Sequence, residues 1–239
     1  MFKQLVIGVS GKKQSGKNTL CNCLYEYFTE KYGSEHVLIL SFADALKQKV
    51  CKDVLGLTEE QVNGTDEQKN SPTMYKWENL PHDIRYHNRL GERRASNGEI
   101  CEYILPTGFM TAREIMQTVG TDIFREYFDD NIWVNATLRE IEKSKAQVIL
   151  ISDVRFPSEV TSMIDRGAYV IRLLRDICET DSHSSETALD DFDFKRDNCV
   201  IFDNREMSIE QQNERTKKMI SGLFPVAFDL MPEDKVGKN

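Results

Sequence analysis

A glycine-spaced loop between a strand pattern and a helix pattern constrains the fold of this chain most. The loop covers residues 11–19 (GKKQSGKNT) and follows the apolar run 5–9 (LVIGV). Gly11 and Gly16 have the backbone freedom that lets loop amides turn inward toward an anion. A helix that begins near Lys17 adds the positive end of its dipole, and the Lys17 ammonium adds a mobile cation. The loop therefore predicts a site for a nucleoside triphosphate or a similar polyanion.

The residue after Lys17 departs from the usual pattern, which has Ser or Thr there as a Mg²⁺ ligand. This chain has Asn18, and Thr19 follows. An amide oxygen can ligate Mg²⁺ directly or through water, and a hydroxyl can share the task. We expect a magnesium site here, with the direct ligand left open between these two side chains.

Composition excludes several other classes of protein. The chain has 239 residues, 40% of them hydrophobic, and a formal net charge of −8. A packed core is therefore expected, whereas a broad electrostatic grip on DNA or RNA is not. The six cysteines form no Cys-x-x-Cys pair and are interpreted as reduced thiols. The four histidines build no metal-ligand spacing with them, so a zinc site is not expected. No apolar run reaches membrane-spanning length.

Short apolar strands alternate with helical patterns along most of the chain. The predicted strands lie at 4–10, 37–40, 148–151, 169–174 and 200–202. This alternation predicts an α/β fold with a mostly parallel central sheet and helices on both faces. The stretch 84–106 does not fit the alternation, and its Ser-Asn-Gly sequence predicts a hairpin within an insertion.

Helix boundaries can be predicted from capping residues. Ser41, followed three residues later by Asp44, predicts an N-cap for a helix over 42–54. Thr111 with Glu114 predicts a capping box. In the same way, Ser208 and Gln211 predict the start of a C-terminal helix that ends near residue 222.

An acidic residue and an arginine follow the third predicted strand. Asp153 would lie beyond the carboxyl end of that strand, where it could hold Mg²⁺ through water or orient an acceptor substrate. The alternative is an ordinary turn or N-cap aspartate. Arg155 could bind a phosphate with both guanidinium nitrogens, or it could pair with Glu159 on the surface.

A polar stripe marks the helix that begins near Ala112. Arg113, Gln117 and Thr121 share one face of it, and on pattern alone this is a solvent-exposed face. Trp133 is by type more often a core residue than a ligand contact. Arg172 and Arg175 flank the end of the fourth strand, and a polar loop follows them.

Several of these blocks together resemble the bacteriophage deoxynucleoside monophosphate kinases. The resemblance rests on 11–19, 41–47, 113–122, Trp133, 153–155 with Glu159, and the loop 183–186. It implies a P-loop kinase-type three-layer fold and transfer of a phosphoryl group from ATP to a deoxynucleoside monophosphate. Two positions depart from the family pattern: Asn18 stands where members have Asp, and Glu114 stands where they have a basic residue.

The resemblance implies a role for each matching residue. Catalytic roles fall on Lys17, Arg113, Asp153 and Arg155. ATP would be bound by Gly11, Ser15, Gly16, Lys17, Asn18 and Thr19, with Mg²⁺ held near Asn18, Thr19 and Asp153. The acceptor would be bound by Arg113, Gln117, Gly120, Thr121, Trp133, Asp153, Arg155 and Glu159. We add Arg175 to the acceptor residues because of its place at the end of the fourth strand and not because of the resemblance.

We therefore expect one P-loop kinase domain over 1–239. An insertion at about 57–110 would form the acceptor-binding region, and a loop at about 176–190 would act as a lid. The expected partners are small-molecule substrates, ATP and a deoxynucleoside monophosphate. Neither stable nucleic-acid binding nor membrane association is expected, and whether the chain forms a homodimer is left open. The expected location is the cytoplasm, that of the host if the chain is phage-encoded. Two alternatives remain: a kinase resembling dephospho-coenzyme A kinase, with Asp153 as base, and a non-catalytic nucleotide-binding switch.

Overall fold

The computed structural model describes residues 4–175 and 187–223. The chain divides into two compact units, residues 1–42 with 138–239 and residues 43–137. The predicted insertion at about 57–110 lies within the second unit, and the single-domain organisation stays a prediction. Most of the predicted lid loop, residues 176–186, lies outside the described residues, as does the block 183–186.

In the first unit, five described strands form one parallel sheet in the order β2-β7-β1-β8-β9. The strands are β1 (Leu5–Ser10), β2 (Val37–Leu40), β7 (Val148–Val154), β8 (Tyr169–Leu173) and β9 (Cys199–Phe202). All five predicted strands are thus confirmed. Because the strands are parallel, their carboxyl ends lie along one edge, which is where ligands bind in sheets of this kind.

Helices cover both faces of this sheet. The first unit contains α1 (Lys17–Tyr32), α7 (Pro157–Ile164) and α8 (Ile209–Leu223), and α6 (Ile132–Lys143) spans the boundary between the units. Ile7 belongs to a buried cluster with Leu24 of α1 and Ile220 of α8. Gly8, which alternates to the opposite face, lies against Met163 of α7. The predicted arrangement of helices on both faces is therefore confirmed.

The second unit contains short helices and two small antiparallel sheets in the described chain. Its elements are the π-helix Ala45–Val54, α2 (Glu59–Asn63), α3 (Asp66–Lys69), β3 (Pro72–Lys76), the 3₁₀-helix Trp77–Asn79, α4 (His82–His87), β4 (Gly91–Arg94), β5 (Ile100–Ile104), β6 (Phe109–Thr111), α5 (Ala112–Gln117) and the π-helix Thr118–Arg125. β4 and β5 form the predicted hairpin, with Gly98 at φ 85° in its turn. β3 was not predicted, because it begins with a proline and is polar and largely exposed.

Capping residues predicted some boundaries correctly and one wrongly. Thr111 and Glu114 form a complete capping box at the start of α5. Ser208 and Gln211 exchange hydrogen bonds at the start of α8. The N-cap predicted at Ser41 is wrong, because the helix begins only at Ala45 and the Ser41 hydroxyl donates to Asp153 Oδ2 at 2.6 Å.

Within the described residues, no helix combines the length and the apolar character that crossing a membrane requires.

Candidate active site

The glycine-spaced loop joins the carboxyl end of β1 to the first residue of α1. Gly16 adopts φ 96°, a conformation that suits glycine, and it provides no side chain to cap the helix. A Cβ atom at Gly11 would lie 2.4 Å from Ser15 Oγ, so a larger residue would not fit there. The first turn of α1 also contains no acidic residue. The amides at this helix terminus are thus left to bind an external anion.

Lys17 is folded back over the loop. Its Nζ donates to the carbonyl oxygens of Gly11 at 2.8 Å and Lys12 at 2.7 Å, and the residue is 9% exposed. Burial, followed by the positive charge of Arg155, lowers the pKa of Lys17 to about 7, although Asp153 acts in the opposite direction. An incoming polyanion would therefore restore the full charge of this side chain.

The loop also contains a buried hydroxyl group that fits a phosphate ligand. Ser15 is fully buried, and its Oγ has no hydrogen-bond partner among the described residues. A buried hydroxyl without a partner is costly, and a phosphate oxygen in the cradle would satisfy it. Together with the uncapped helix terminus and Lys17, this group makes the loop suitable for the phosphate tail of a nucleoside triphosphate.

Two of the predicted metal ligands, Asn18 and Thr19, are the last residues of this loop. Asn18 is exposed and Thr19 is partly buried at the start of α1. The described residues contain no cluster of three or more His, Cys, Asp or Glu side chains that could hold a metal ion. Such a cluster is not required for Mg²⁺ that arrives with a nucleotide, since phosphates and water supply most of its oxygen ligands.

Asp153 lies near the carboxyl end of β7 and links it to the end of β2. Its carboxylate accepts hydrogen bonds from the Ser41 hydroxyl at 2.6 Å and from the Phe42 backbone N at 2.8 Å. It also lies close enough to Lys17 to raise the pKa of that side chain. Asp153 is thus a strand residue, and Phe156 takes the N-cap position of the next helix, so the interpretation as a turn or N-cap aspartate is wrong. The proposed role of Asp153 in metal or acceptor binding stays a prediction.

Glu159 lies in the first turn of α7 and caps the N-terminus of that helix. It is 2% exposed, and its Oε2 accepts from the backbone N of Arg155 at 2.7 Å and of Phe156 at 3.1 Å. This carboxylate therefore fixes the loop that carries Arg155. The Arg155 guanidinium is close enough to Lys17 to lower its pKa, which places a second cation near the phosphate loop.

Arg172 and Arg175 have different environments at the end of β8. Arg172 Nη1 donates to the hydroxyl of Ser10, the last residue of β1, at 3.0 Å. One guanidinium nitrogen of Arg175 donates to the carbonyl oxygens of Asn204 at 2.7 Å and Met207 at 2.5 Å. The contacts of Arg175 thus stabilise a loop, and its predicted role in acceptor binding stays a prediction.

In the second unit, Arg113 is oriented by partners from an earlier part of the chain. Its Nε donates to Asn70 Oδ1 at 2.9 Å, and its Nη2 donates to Asp66 Oδ1 at 2.5 Å. Its side chain is 24% exposed. Gln117, on the same helix, is half-buried. The stripe is therefore not simply the solvated face that its pattern suggests.

Trp133 and Gly120 contribute to the core of the second unit. The Trp133 indole N donates to the Gly120 carbonyl at 2.8 Å, and Trp133 is 7% exposed. Trp133 shares a buried cluster with Leu46 and Ile115. Thr121 is half-buried in the π-helix that contains Gly120. The structure thus shows a packing role for Trp133, and its contact with an acceptor stays a prediction.

The sequence did not point to four polar residues that support these groups. Asn204 and Gln212 contact the phosphate loop, and Asp66 and Asn70 hold Arg113. A signal existed for Asn204, since it follows β9 at the carboxyl edge of the sheet. The other three belong to no recognisable motif.

Comparison with known proteins agrees with this architecture. Residues 73–214, more than half of the chain, match the family model described as deoxynucleotide monophosphate kinase. A provisionally named deoxynucleotide monophosphate kinase of Acanthamoeba polyphaga mimivirus is 30% identical over 202 residues, which cover 77% of this chain and 82% of that protein. The deoxynucleoside-5'-monophosphate kinase of Escherichia phage T5 is 24% identical over 175 residues, covering 65% and 70%.

Among solved structures, thymidylate kinase from Ehrlichia chaffeensis aligns with a TM-score of 0.40 and 13% identity, covering 92% of this chain and 98% of that one.

A parallel α/β sheet with a phosphate loop at its carboxyl edge defines a P-loop nucleotide-binding protein. The chain belongs to the deoxynucleotide monophosphate kinase family. The predicted family and enzyme class are thereby confirmed.

Proposed function

We propose that this chain transfers the γ-phosphoryl group of ATP to the 5′-phosphate of a deoxynucleoside monophosphate. The observation that carries the proposal is the buried Lys17 in the phosphate loop, at a helix N-terminus that has no side-chain cap. The chain belongs to the deoxynucleotide monophosphate kinase family. The products are the deoxynucleoside diphosphate and ADP.

The donor is bound by the phosphate loop. The backbone amides around Gly16 and the dipole of α1 hold its phosphates, and Lys17 lies against the outer ones. Ser15 Oγ gains the hydrogen bond that it otherwise lacks. Mg²⁺ near Asn18 and Thr19, when bound, neutralises charge on the phosphate oxygens.

The acceptor is bound chiefly by arginines. Arg113, held by Asp66 and Asn70, presents a guanidinium whose orientation is already fixed for a phosphate. Arg155, on the loop that Glu159 fixes, adds charge next to Lys17. Gln117, Gly120, Thr121 and Trp133 complete the set of acceptor residues that the family resemblance implies.

The transfer needs no strong general base. An acceptor phosphate is already anionic at neutral pH, so one of its oxygens attacks the γ-phosphorus while the bond to the β–γ bridging oxygen breaks. The electron pair of that bond leaves with ADP. The protein must hold the two phosphates in line and balance the charge on the equatorial oxygens. In the first unit, Lys17 and Arg155 supply positive charge for this task.

An acceptor panel tests the proposal. The protein is incubated with ATP, Mg²⁺ and each common deoxynucleoside monophosphate, and the diphosphates are separated by chromatography. We expect ADP and a deoxynucleoside diphosphate in equal amounts. Transfer to an alcohol instead would favour a small-molecule kinase with Asp153 as base. Nucleotide binding without turnover across the panel would favour a switch.

A further inference from the structure

The side-chain amide of Asn204 contacts the phosphate loop through a backbone carbonyl. Asn204 follows β9 and is fully buried. Its Nδ2 donates to the Ser15 carbonyl O at 2.8 Å and to Gln212 Oε1 at 2.8 Å. Both N–H groups of this nitrogen are thereby used, which fixes the plane of the amide.

The orientation of the Asn204 amide is determined by its neighbours on both sides. Its Oδ1 accepts from the Arg175 backbone N at 3.0 Å, and the Arg175 guanidinium holds the Asn204 carbonyl at 2.7 Å. A flipped amide would place its oxygen against the Ser15 carbonyl and its NH₂ against a backbone N–H. The network therefore allows one orientation, in which Asn204 donates to the loop.

Gln212 of α8 holds the next carbonyl of the loop. It is 2% exposed, and its Nε2 donates to the Gly16 carbonyl at 3.4 Å. The same carbonyl also accepts from the Leu20 backbone N at 3.0 Å, so Gln212 adds to a helix hydrogen bond. Asn204 and Gln212 also bond to each other. Two consecutive carbonyls, those of Ser15 and Gly16, are thus held by a connected pair of buried amides.

Holding these carbonyls also sets the direction of the amides that follow them. In a planar trans peptide, the C=O and N–H groups point in opposite directions. Fixing the Ser15 carbonyl on Asn204 therefore aims the Gly16 N–H away from Asn204, and fixing the Gly16 carbonyl does the same for the Lys17 N–H. Gly16 has little intrinsic conformational preference, so its φ of 96° depends on such outside contacts.

We propose that Asn204, supported by Gln212, is a positioning residue that aims the Gly16 and Lys17 amides at the donor phosphates. The inference rests on the proposed function, since it assigns the donor to this loop. It also gives Arg175 a use at the same place, because the Arg175 guanidinium and backbone N hold Asn204. A purely structural asparagine would stabilise the fold without setting the affinity for ATP.

Two substitutions of Asn204 test the proposal. Asn204→Asp keeps the shape but puts an acceptor against the Ser15 carbonyl, and Asn204→Ala removes the donor without adding charge. We expect both variants to lower kcat/KM for ATP about tenfold to a hundredfold. This is the effect of losing one hydrogen bond between a loop amide and the charged phosphate of ATP. The KM for the deoxynucleoside monophosphate is expected to stay within about twofold.

Comparing the KM for ATP with the KM for the deoxynucleoside monophosphate distinguishes a positioning role of Asn204 from a role in folding alone. A variant that only folds poorly would lower kcat for both substrates and leave the KM for ATP unchanged, which would overturn the proposal. A rise in the ATP KM for Asn204→Asp alone would overturn it too, because added charge would then be the cause. The proposed function fails separately, if the unsubstituted protein forms no diphosphate.

Gln212 provides the second variant and a matched control. Gln212→Glu keeps the acceptor for Asn204 but cannot donate to the Gly16 carbonyl, so the KM for ATP should rise. Gln211→Glu adds the same charge one residue away, at an exposed position, and keeps the acceptor for the Ser208 backbone N. It should leave both KM values unchanged. If neither Asn204 variant folds, an unchanged ATP KM in Gln212→Glu overturns the proposal.

Discussion

The phosphate loop and the helix that carries Arg113 present positive charge in opposite ways. The loop relies on backbone amides and one buried lysine, all within residues 11–19. Arg113 is a partly exposed side chain held by Asp66 and Asn70, which lie 47 and 43 residues earlier. The groups of the loop that would bind an anion are thus encoded by one short stretch, although the distant Asn204 and Gln212 contact its backbone. The environment of Arg113, in contrast, is assembled entirely from separate segments of the chain.

The difference explains why one region suits a triphosphate and the other a single phosphate. A cradle of amides can contact many oxygens at once, because each amide contributes one short hydrogen bond. One guanidinium matches two oxygens of one phosphate. We therefore assign the donor to the loop and the acceptor to Arg113, and the predictions below test that division.

The largest effect is expected at Lys17. Lys17→Ala removes the charged side chain that donates to the loop carbonyls of Gly11 and Lys12 and that we assign to the donor phosphates. The rate of diphosphate formation should fall about a thousandfold, the scale of losing a main electrostatic stabiliser. Lys218→Ala, at an exposed position on α8, is the matched control and should keep full activity. Near-normal turnover of Lys17→Ala would refute the assignment of the donor to the loop.

Arg113→Ala comes next and should act on the other substrate. The variant loses a charged hydrogen-bond donor to the acceptor phosphate, so kcat/KM for the deoxynucleoside monophosphate should fall about tenfold to a hundredfold. ATP binding, measured by titration without acceptor, should change little. Arg139→Ala, at an exposed position on α6 outside the predicted acceptor-binding region, is the control. Equal losses for both substrates would contradict the division between the two regions.

The pH dependence of ATP binding should reveal the buried lysine. Lys17 binds ATP as a cation, but its pKa is about 7 in the free protein. Above that pH a proton must be taken up on binding, so affinity should weaken as the pH rises. Lys17→Arg stays charged and corrects for the titration of ATP itself. Relative to it, the affinity should fall about tenfold between pH 6 and pH 8. A constant ratio would show that burial does not lower this pKa.

The smallest effect is expected at Trp133 and concerns stability. Trp133→Phe removes the hydrogen bond to the Gly120 carbonyl inside the core of the second unit. The free energy of unfolding should fall by about 1–3 kcal/mol, as for a buried carbonyl left without its partner. Chemical denaturation measures this change. Unchanged stability would contradict the packing role, and a higher acceptor KM would support the contact that the family resemblance implies.

The same contrast between the two regions determines how much the sequence could predict. All five strands of the parallel sheet and the loop after β1 were predictable, because each depends on a local pattern that the fold preserves. β3 was missed because a polar, exposed edge strand has no apolar signal. Ser41 was misassigned as an N-cap because its partner, Asp153, lies 112 residues later.

For the candidate site, the sequence predicted groups that bind and missed groups that support them. Lys17 belongs to a motif with fixed spacing, so its place could be expected. The contacts of Asn204 with Ser15 and of Asp66 with Arg113 depend on how distant segments meet. A single sequence contains no pattern that pairs such residues.

The most direct test is a crystal structure of the protein with a non-hydrolysable ATP analogue. The account predicts the β- and γ-phosphates within hydrogen-bond distance of the Gly16 backbone N, with Lys17 Nζ moved from the loop carbonyls to the phosphate oxygens. An analogue bound elsewhere, with Lys17 still on the carbonyls of Gly11 and Lys12, would contradict it.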